Sequence, residues 1–271
     1  MGLTQDLEEL IENNDADGLE AKFTKQGRPR KGTRAITSKD KDHCLDVAMP
    51  HANFDVLEVL FRHEANLTRR SFDAALERGN EEMSLLDLML KWGWKVGGKG
   101  LWYGESVAGA AIHHENTLRW VLEYGAELNV VSNPRLVGSC ADLATPLQKA
   151  ASRGLVKAMY ILLEFGARPD ASAIFFAIRS QATESLRFLL AKGVDANIVS
   201  WKWGTPLKYA VRWHNSEAVE VLLDCGADPE VVRSGSTAAD DARERGYVEL
   251  AEMLEARMKR KSRRIRGLRP A

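Results

Sequence analysis

Pairs of large apolar residues recur along the chain at intervals of roughly 30 residues, and most of the pairs precede a turn that contains glycine. Around one pair the apolar residues are spaced as the stripe of an amphipathic helix: Val156, Met159, Tyr160, Leu162 and Leu163. The pattern predicts a series of short helices, each with one apolar face that a neighbour must cover. The seven pairs are Leu60-Phe61, Met89-Leu90, Val121-Leu122, Leu162-Leu163, Leu189-Leu190, Leu222-Leu223 and Met253-Leu254.

A second motif marks the start of the helix that precedes such a stripe. Thr145-Pro146-Leu147 recurs as Thr205-Pro206-Leu207. The threonine hydroxyl can cap a helix N-terminus, and proline is favoured at the first helical position because its missing N–H would have no partner there. Gly154 should end the first helix, since glycine accepts the left-handed conformation of a C-terminal cap. The sequence therefore predicts eight helix pairs, from about 4–26 to about 236–260.

This arrangement resembles the ankyrin repeat, whose units begin Thr-Pro-Leu-His and end in a turn of the Gly-Ala-Asp type. The resemblance implies an all-α solenoid of paired antiparallel helices, joined by finger loops, over residues 1–257. The first and last pairs are rich in polar residues, which is typical of terminal caps. The match is closest over 145–170, 203–230 and 236–256, whereas before residue 100 only the helix pattern and the turn positions agree.

Two departures from the repeat pattern bear on how the units connect. Gln148 and Lys208 stand where the repeat has histidine, which in the family links a unit to its neighbour through hydrogen bonds. We therefore expect weaker bonding between units at these two positions. The spacing is also irregular, with an insertion at 130–144 and almost no finger in the unit at 171–197.

Composition favours a folded protein and gives no global charge that would select a partner. Apolar residues make up 45% of the chain, and the basic and acidic residues both number 38. The charge is unevenly placed, because eight basic residues and no acidic one follow from Arg257 onwards. We expect residues 258–271 to form a flexible basic tail. Within it the run Lys259, Arg260, Lys261, Arg263 and Arg264 resembles a nuclear-localisation signal, and a solubilising end is the alternative.

Cysteine usage and hydropathy indicate the compartment. Three cysteines without paired spacing, and a start without an apolar signal segment, favour a reducing environment. No run of about eighteen apolar residues is present, so we expect no membrane-spanning helix. The sequence predicts a soluble, monomeric, intracellular protein in the cytoplasm, with the nucleus as a further location.

Aromatic residues are concentrated where the resemblance implies that a partner binds, on the fingers and the exposed side of the first helices. Tryptophan and tyrosine are over-represented among residues that dominate binding energy. Trp201 and Trp203 stand two apart, so an extended finger would project both side chains to the same side. The alternative is that such residues pack against adjacent fingers. The five candidates are Trp102, Tyr103, Trp201, Trp203 and Trp213.

Basic residues lie beside these aromatics. We expect Lys208 and Arg212 to take part in partner binding. A positive patch for an acidic peptide is one interpretation of the group, and a solvated charged face is the other. The group consists of Lys149, Arg153, Lys202, Lys208 and Arg212.

Catalytic and metal-binding motifs are missing from the sequence. No glycine-rich phosphate loop or nucleophile elbow occurs. His113 and His114 are adjacent on a predicted helix, where their side chains diverge rather than meet at one ion. We predict no enzymatic activity, no cofactor and no metal. The expected function is a protein–protein interaction module or adaptor that binds another protein or peptide. The alternatives are an enzyme or small-molecule binder that uses the groove, and a nucleic-acid-associated regulator.

Overall fold

The computed structural model describes residues 3–25, 35–96, 106–131, 144–168, 171–233 and 235–267, with side chains described as far as residue 259. In these ranges the chain forms eight helix pairs, which we number as repeats 1 to 8. Contacts between residues divide it into an N-terminal body, Met1–Glu127, and a C-terminal body, Leu128–Ala271. Repeats 1–4 belong to the first body and repeats 5–8 to the second.

The N-terminal body contains helices α1 to α8. The first helix of repeat 4 is short and continues as a 3₁₀ turn over Ala111–His113. The helices are α1 Leu3–Glu12, α2 Ala16–Thr24, α3 Ser38–Ala48, α4 Phe54–Arg62, α5 Arg69–Gly79, α6 Met83–Lys91, α7 Val107–Ala110 and α8 Glu115–Glu123.

The C-terminal body contains helices α9 to α16. The last helix continues beyond residue 260, where we predicted the final pair to end, as far as Gly267. The helices are α9 Pro146–Ser152, α10 Val156–Glu164, α11 Ala173–Arg179, α12 Thr183–Ala191, α13 Pro206–Arg212, α14 Ser216–Asp224, α15 Ala238–Glu244 and α16 Val248–Gly267.

Helix boundaries follow from the local signals in the sequence. The Thr145 hydroxyl accepts a hydrogen bond from the Gln148 N–H, and the Gln148 side chain accepts one from the Thr145 N–H at 3.0 Å, which closes a capping box around Pro146. Gly154 ends α9 at a φ of +73°, in the left-handed region that favours glycine. Both predictions for this repeat are confirmed.

The core of each body lies between the first and second helices. In the C-terminal body the first helices pack in series, α9 on α11, α11 on α13 and α13 on α15. Ala150 and Ala151 are fully or almost fully buried in this row, and their small side chains allow the helices to approach closely. Leu162 and Leu222 of the second helices are completely buried. The predicted stripe on α10 was wrong at Tyr160, which is 52% exposed.

Gln148 and Lys208, at the histidine positions, both form hydrogen bonds to the next repeat, and the expectation that these bonds are weaker than those of histidine stays a prediction. The Gln148 side-chain amide donates to Ser172 Oγ of repeat 6 at 2.5 Å. Lys208 Nζ reaches repeat 8, where it donates to the carbonyl oxygens of Arg233 at 2.6 Å and Ser236 at 3.0 Å. Both side chains carry donors at the end of a long stem, so each bridges the gap between repeats in place of histidine.

No helix among the described residues is long and apolar enough to cross a membrane.

Candidate interaction surface

The finger before α13 is a small closed turn. Ser200 and Gly204 exchange two backbone N–H···O hydrogen bonds, both at 2.9 Å. The Ser200 hydroxyl oxygen also accepts hydrogen bonds from the N–H groups of Lys202 at 3.2 Å and Trp203 at 3.3 Å. These bonds hold residues 201–203 in place, and Thr205 then caps α13 by accepting from the Lys208 N–H at 3.3 Å.

The two tryptophans of this finger have different environments. Trp201 is 93% exposed at the tip. Trp203 is partly buried, and its ring centroid lies 5.0 Å from that of Phe175 and 5.9 Å from that of Phe176. The prediction that both side chains project to one side was wrong, because residues 201–203 form a turn rather than an extended strand.

Trp203 belongs to an aromatic cluster that spans repeats 6 and 7. Tyr209 of α13 is buried at its centre, with centroid distances of 5.2 Å to Phe175, 6.2 Å to Trp203 and 6.2 Å to Trp213. Trp213 caps the C-terminus of α13 and remains 44% exposed. The cluster therefore presents Trp213 at its edge.

The Phe175-Phe176 part of this cluster is absent from the sequence-based candidates. The sequence does contain a sign that Phe175 contacts the next finger, because aligning the first helices places it at the position of Gln148 and Lys208. An aromatic residue at that position cannot form the polar link between repeats, and it packs on the next finger instead. Of the other candidates, Trp102 and Tyr103 lie outside the described residues.

Basic side chains surround the finger. Lys202 is exposed, with its ammonium 5.1 Å from the ring centroid of Trp203, and the Arg179 guanidinium carbon lies 5.4 Å from that of Phe176. Arg212 on α13 and Arg233 in the next finger are both exposed. A groove of about 250 Å³ lies between repeats 7 and 8, and we call it the finger groove. Its lining includes Trp201, Lys202, Trp203, Arg212 and Arg233 but not Arg179. Lys149 and Arg153 belong to repeat 5 and are not part of its lining.

Lys208 lines the same groove but is engaged within the chain. Besides its two carbonyl contacts, its ammonium lies 2.9 Å from Ser236 Oγ and 3.3 Å from Asp241 Oδ2. Its side chain is only 11% exposed. Lys208 therefore joins repeats 7 and 8 within the chain, and its expected role in partner binding stays a prediction.

The predicted targeting residues lie on α16. Lys259 is exposed at the end of the described side chains. The backbone of Arg260, Lys261, Arg263 and Arg264 continues the helix, and their side chains lie outside the described part of the structure.

Titratable groups with shifted pKa values serve structural roles. Burial raises the pKa of the Cys44 thiol to about 12, which keeps this residue a neutral core group. Hydrogen bonds from the Thr237 hydroxyl and N–H lower the pKa of Asp240. The same carboxylate forms the capping box of α15 with Thr237. Within the described ranges, no group of three or more histidine, cysteine, aspartate or glutamate side chains is placed to hold a metal ion.

Comparison with known families agrees with this architecture. The family described as "Ankyrin repeats (3 copies)" matches residues 107–200, 147–233 and 174–261, which together make up more than half of the chain. The chain belongs to the ankyrin-repeat family. Members of this family generally act as protein–protein interaction modules.

Individual relatives share only segments with this ankyrin-repeat protein. An ankyrin repeat protein of Acanthamoeba polyphaga mimivirus is 40% identical over 63 residues, which cover 23% of this chain and 15% of the viral protein. Protein phosphatase 1 regulatory subunit 12A of Mus musculus is 37% identical over 86 residues, covering 31% of this chain and 8% of the subunit. The chain thus matches less than a fifth of the length of these curated relatives.

A solved structure is similar over more of the chain. The human ASB11 ankyrin repeat domain superposes with a TM-score of 0.57 over 83% of this chain and 98% of its own length, at 23% sequence identity. At that identity the similarity shows the fold alone.

Proposed function

We propose that this protein is a non-enzymatic adaptor that binds a partner protein through the finger and first-helix surface of repeats 6–8. The observation that carries the proposal is the side chain of Trp201, which is 93% exposed on a finger held closed by two backbone hydrogen bonds. A solvent-exposed tryptophan on a fixed loop contributes nothing to the core of the repeat. Its apolar surface is available to a partner without rearrangement of the backbone.

The magnitude of that surface supports a binding role. A tryptophan side chain buries about 150–250 Å² when it is fully covered. At about 25 cal/mol per Å² of apolar surface, this corresponds to a gross gain of about 4–6 kcal/mol. Part of it is lost to ordering and desolvation on binding, so truncation of an anchoring tryptophan is expected to cost about 2–4 kcal/mol.

The rest of the surface supplies what an anchor needs around it. Trp213 presents a second, partly exposed ring. This ring packs against Tyr209, which is only 5% exposed, so the buried side of Trp213 is held by the core. Lys202 and Arg212 supply charges that can orient a partner. Aromatic residues and arginine are the types enriched at interface centres, which favours a protein partner over a small molecule.

Affinity capture with matched variants tests the proposal. Wild-type protein, Trp201→Ala, Trp213→Ala and the control Tyr160→Ala are immobilised, and proteins captured from a native extract are quantified. Tyr160 is the appropriate control because it is a half-exposed aromatic residue on the second helix α10 of repeat 5 and does not line the finger groove. We expect Trp201→Ala to weaken binding of a specific partner by about 30- to 1,000-fold while Tyr160→Ala leaves it unchanged.

Thermal unfolding measured on the same variants separates binding from folding. Since Trp201 is exposed, its removal should leave the melting temperature near that of the wild type. Capture of the same proteins at the same level by Trp201→Ala would contradict the proposal. A marked fall in its melting temperature would instead assign Trp201 a structural role.

A further inference from the structure

The finger groove carries positive charge that the chain does not neutralise. Lys202, Arg212 and Arg233 line it, and among the described residues none of the three has a carboxylate within 4.0 Å. The carboxylate in the described lining is Asp241, which accepts from Ser236 Oγ at 2.5 Å and pairs with Lys208 at 3.3 Å. Because Lys208 and Asp241 balance one another, the three remaining cations define the charge of the groove.

The groove also has an apolar side. Trp201 stands exposed at its rim, and the Trp203 ring, with the Lys202 ammonium over it, forms part of its wall. A ligand that fits this lining must combine negative groups with at least one apolar group. At about 250 Å³, the groove is smaller than the roughly 300–1,000 Å³ of sites that enclose small molecules. It has room for a few side chains of a larger ligand.

On this basis we propose that the finger groove binds an acidic peptide segment of the partner protein. Carboxylates of the segment pair with Arg212 and Arg233, whose guanidinium groups can each hold a carboxylate through two parallel hydrogen bonds. Lys202 contributes a third positive charge, and an apolar side chain of the segment packs on Trp201. The inference rests on the proposed protein-binding function and adds the chemistry of the partner.

The charges beyond the groove favour a peptide over a nucleic acid. Helix α15, which follows directly, carries Asp240, Asp241 and Glu244. Asp240 and Asp241 have partners within the chain, whereas the exposed Glu244 adds negative charge at the C-terminal end of the same helix. A polynucleotide carries one charge per phosphate along its whole length and would have to pass these carboxylates. A short acidic segment can place its charges on the three cations and end there.

Selection from a peptide library tests the charge preference directly, because random peptides sample every combination of charge and hydrophobicity. A phage-displayed library of random linear peptides is selected on the full chain, on the double variant Arg212→Glu with Arg233→Glu, and on Tyr160→Ala. Both arginines are exposed, so the double variant should remain folded, and circular dichroism and thermal unfolding check this. We expect the wild type and Tyr160→Ala to enrich peptides rich in aspartate and glutamate with an apolar residue. Those peptides should bind the double variant at least tenfold more weakly and show reduced affinity at high salt.

Each outcome of the selection bears on the inference. Enriched peptides that are neutral or basic, an empty selection, or acidic peptides that bind the double variant equally well would all overturn it. A fluorescein-labelled oligouridylate is measured in parallel, and binding of this RNA in preference to the acidic peptides would overturn it in favour of a nucleic acid. If the selection gives one of these results but Trp201→Ala still abolishes capture of a protein partner, the proposed function stands and only the acidic-peptide inference fails. If, in addition, Trp201→Ala captures the partner as well as the wild type does, both proposals are refuted.

Discussion

Lys208→Met removes the charged link between repeats 7 and 8 while it keeps most of the side-chain stem. The wild-type ammonium donates to the Arg233 carbonyl at 2.6 Å, the Ser236 carbonyl at 3.0 Å and the Ser236 hydroxyl at 2.9 Å, and it pairs with Asp241 at 3.3 Å. The variant loses all four contacts. It also leaves the Asp241 carboxylate beside the Ser236 hydroxyl without its counter-charge.

The expected loss of stability in Lys208→Met follows from how deeply the Lys208–Asp241 pair is buried. The Lys208 side chain is 11% exposed and that of Asp241 is 25% exposed, so the pair lies between a surface ion pair and a fully buried one. Exposed pairs contribute about 0–1 kcal/mol, whereas breaking a buried pair costs about 3–5 kcal/mol. We therefore expect Lys208→Met to lower the free energy of unfolding by about 2–3 kcal/mol.

Urea unfolding of the wild type, Lys208→Met, Asp241→Asn and the double variant measures this effect and its coupling. Lys202→Met is the matched control, since Lys202 is an exposed lysine of the same groove and should change stability by less than about 0.5 kcal/mol. If repeats 7 and 8 are joined as described, the double variant will be less destabilised than the sum of the single variants. A loss below about 0.5 kcal/mol for Lys208→Met, or strict additivity, would refute the assignment of Lys208 as a link between repeats.

Three further predictions concern other parts of the chain. Gln181 is exposed and follows α11 at a φ of +56°, so Gln181→Gly should relieve backbone strain and stabilise the protein by about 0.5–1 kcal/mol in thermal unfolding. The hydrogen bond from His63, at 2.9 Å, lowers the pKa of Glu20 below 4.5, so the stabilisation it provides should be present above pH 4.5 and vanish as the pH falls through the lowered pKa. Deletion of residues 258–271 should reduce nuclear enrichment of a fluorescent fusion, which we propose depends on the basic run from Lys259 to Arg264.

Each of these has a result that would count against it. A lower melting temperature for Gln181→Gly would mean that the side chain contributes more than its backbone strain costs. For Glu20, the stability difference between the wild type and Glu20→Gln must shrink as the solution is acidified, and a constant difference across pH would rule out the His63 bond as its source. An unchanged distribution of the truncated fusion would exclude the tail as an import signal.

The helix pairs were predictable from the sequence because their signals are local. The Thr145-Pro146-Leu147 cap, the glycine at position 154 and the apolar face of each second helix act within one or two turns of helix. Such signals do not depend on what the neighbouring repeat contains. The eight pairs and their order could therefore be derived from the residues and confirmed in the structure.

The roles of the finger and bridging residues depended on the distance and direction between repeats. Trp201 and Trp203 look equivalent in the sequence, and only the turn closed by Ser200 and Gly204 separates an exposed ring from a packed one. The sequence alone indicates that Lys208 is a surface charge. In the structure its ammonium contacts two carbonyl oxygens and Asp241 of repeat 8. A long side chain can bond to a group across a repeat boundary. The periodicity of the sequence shows where the boundary lies, but not which atoms of the next repeat lie within a few ångströms of the side chain.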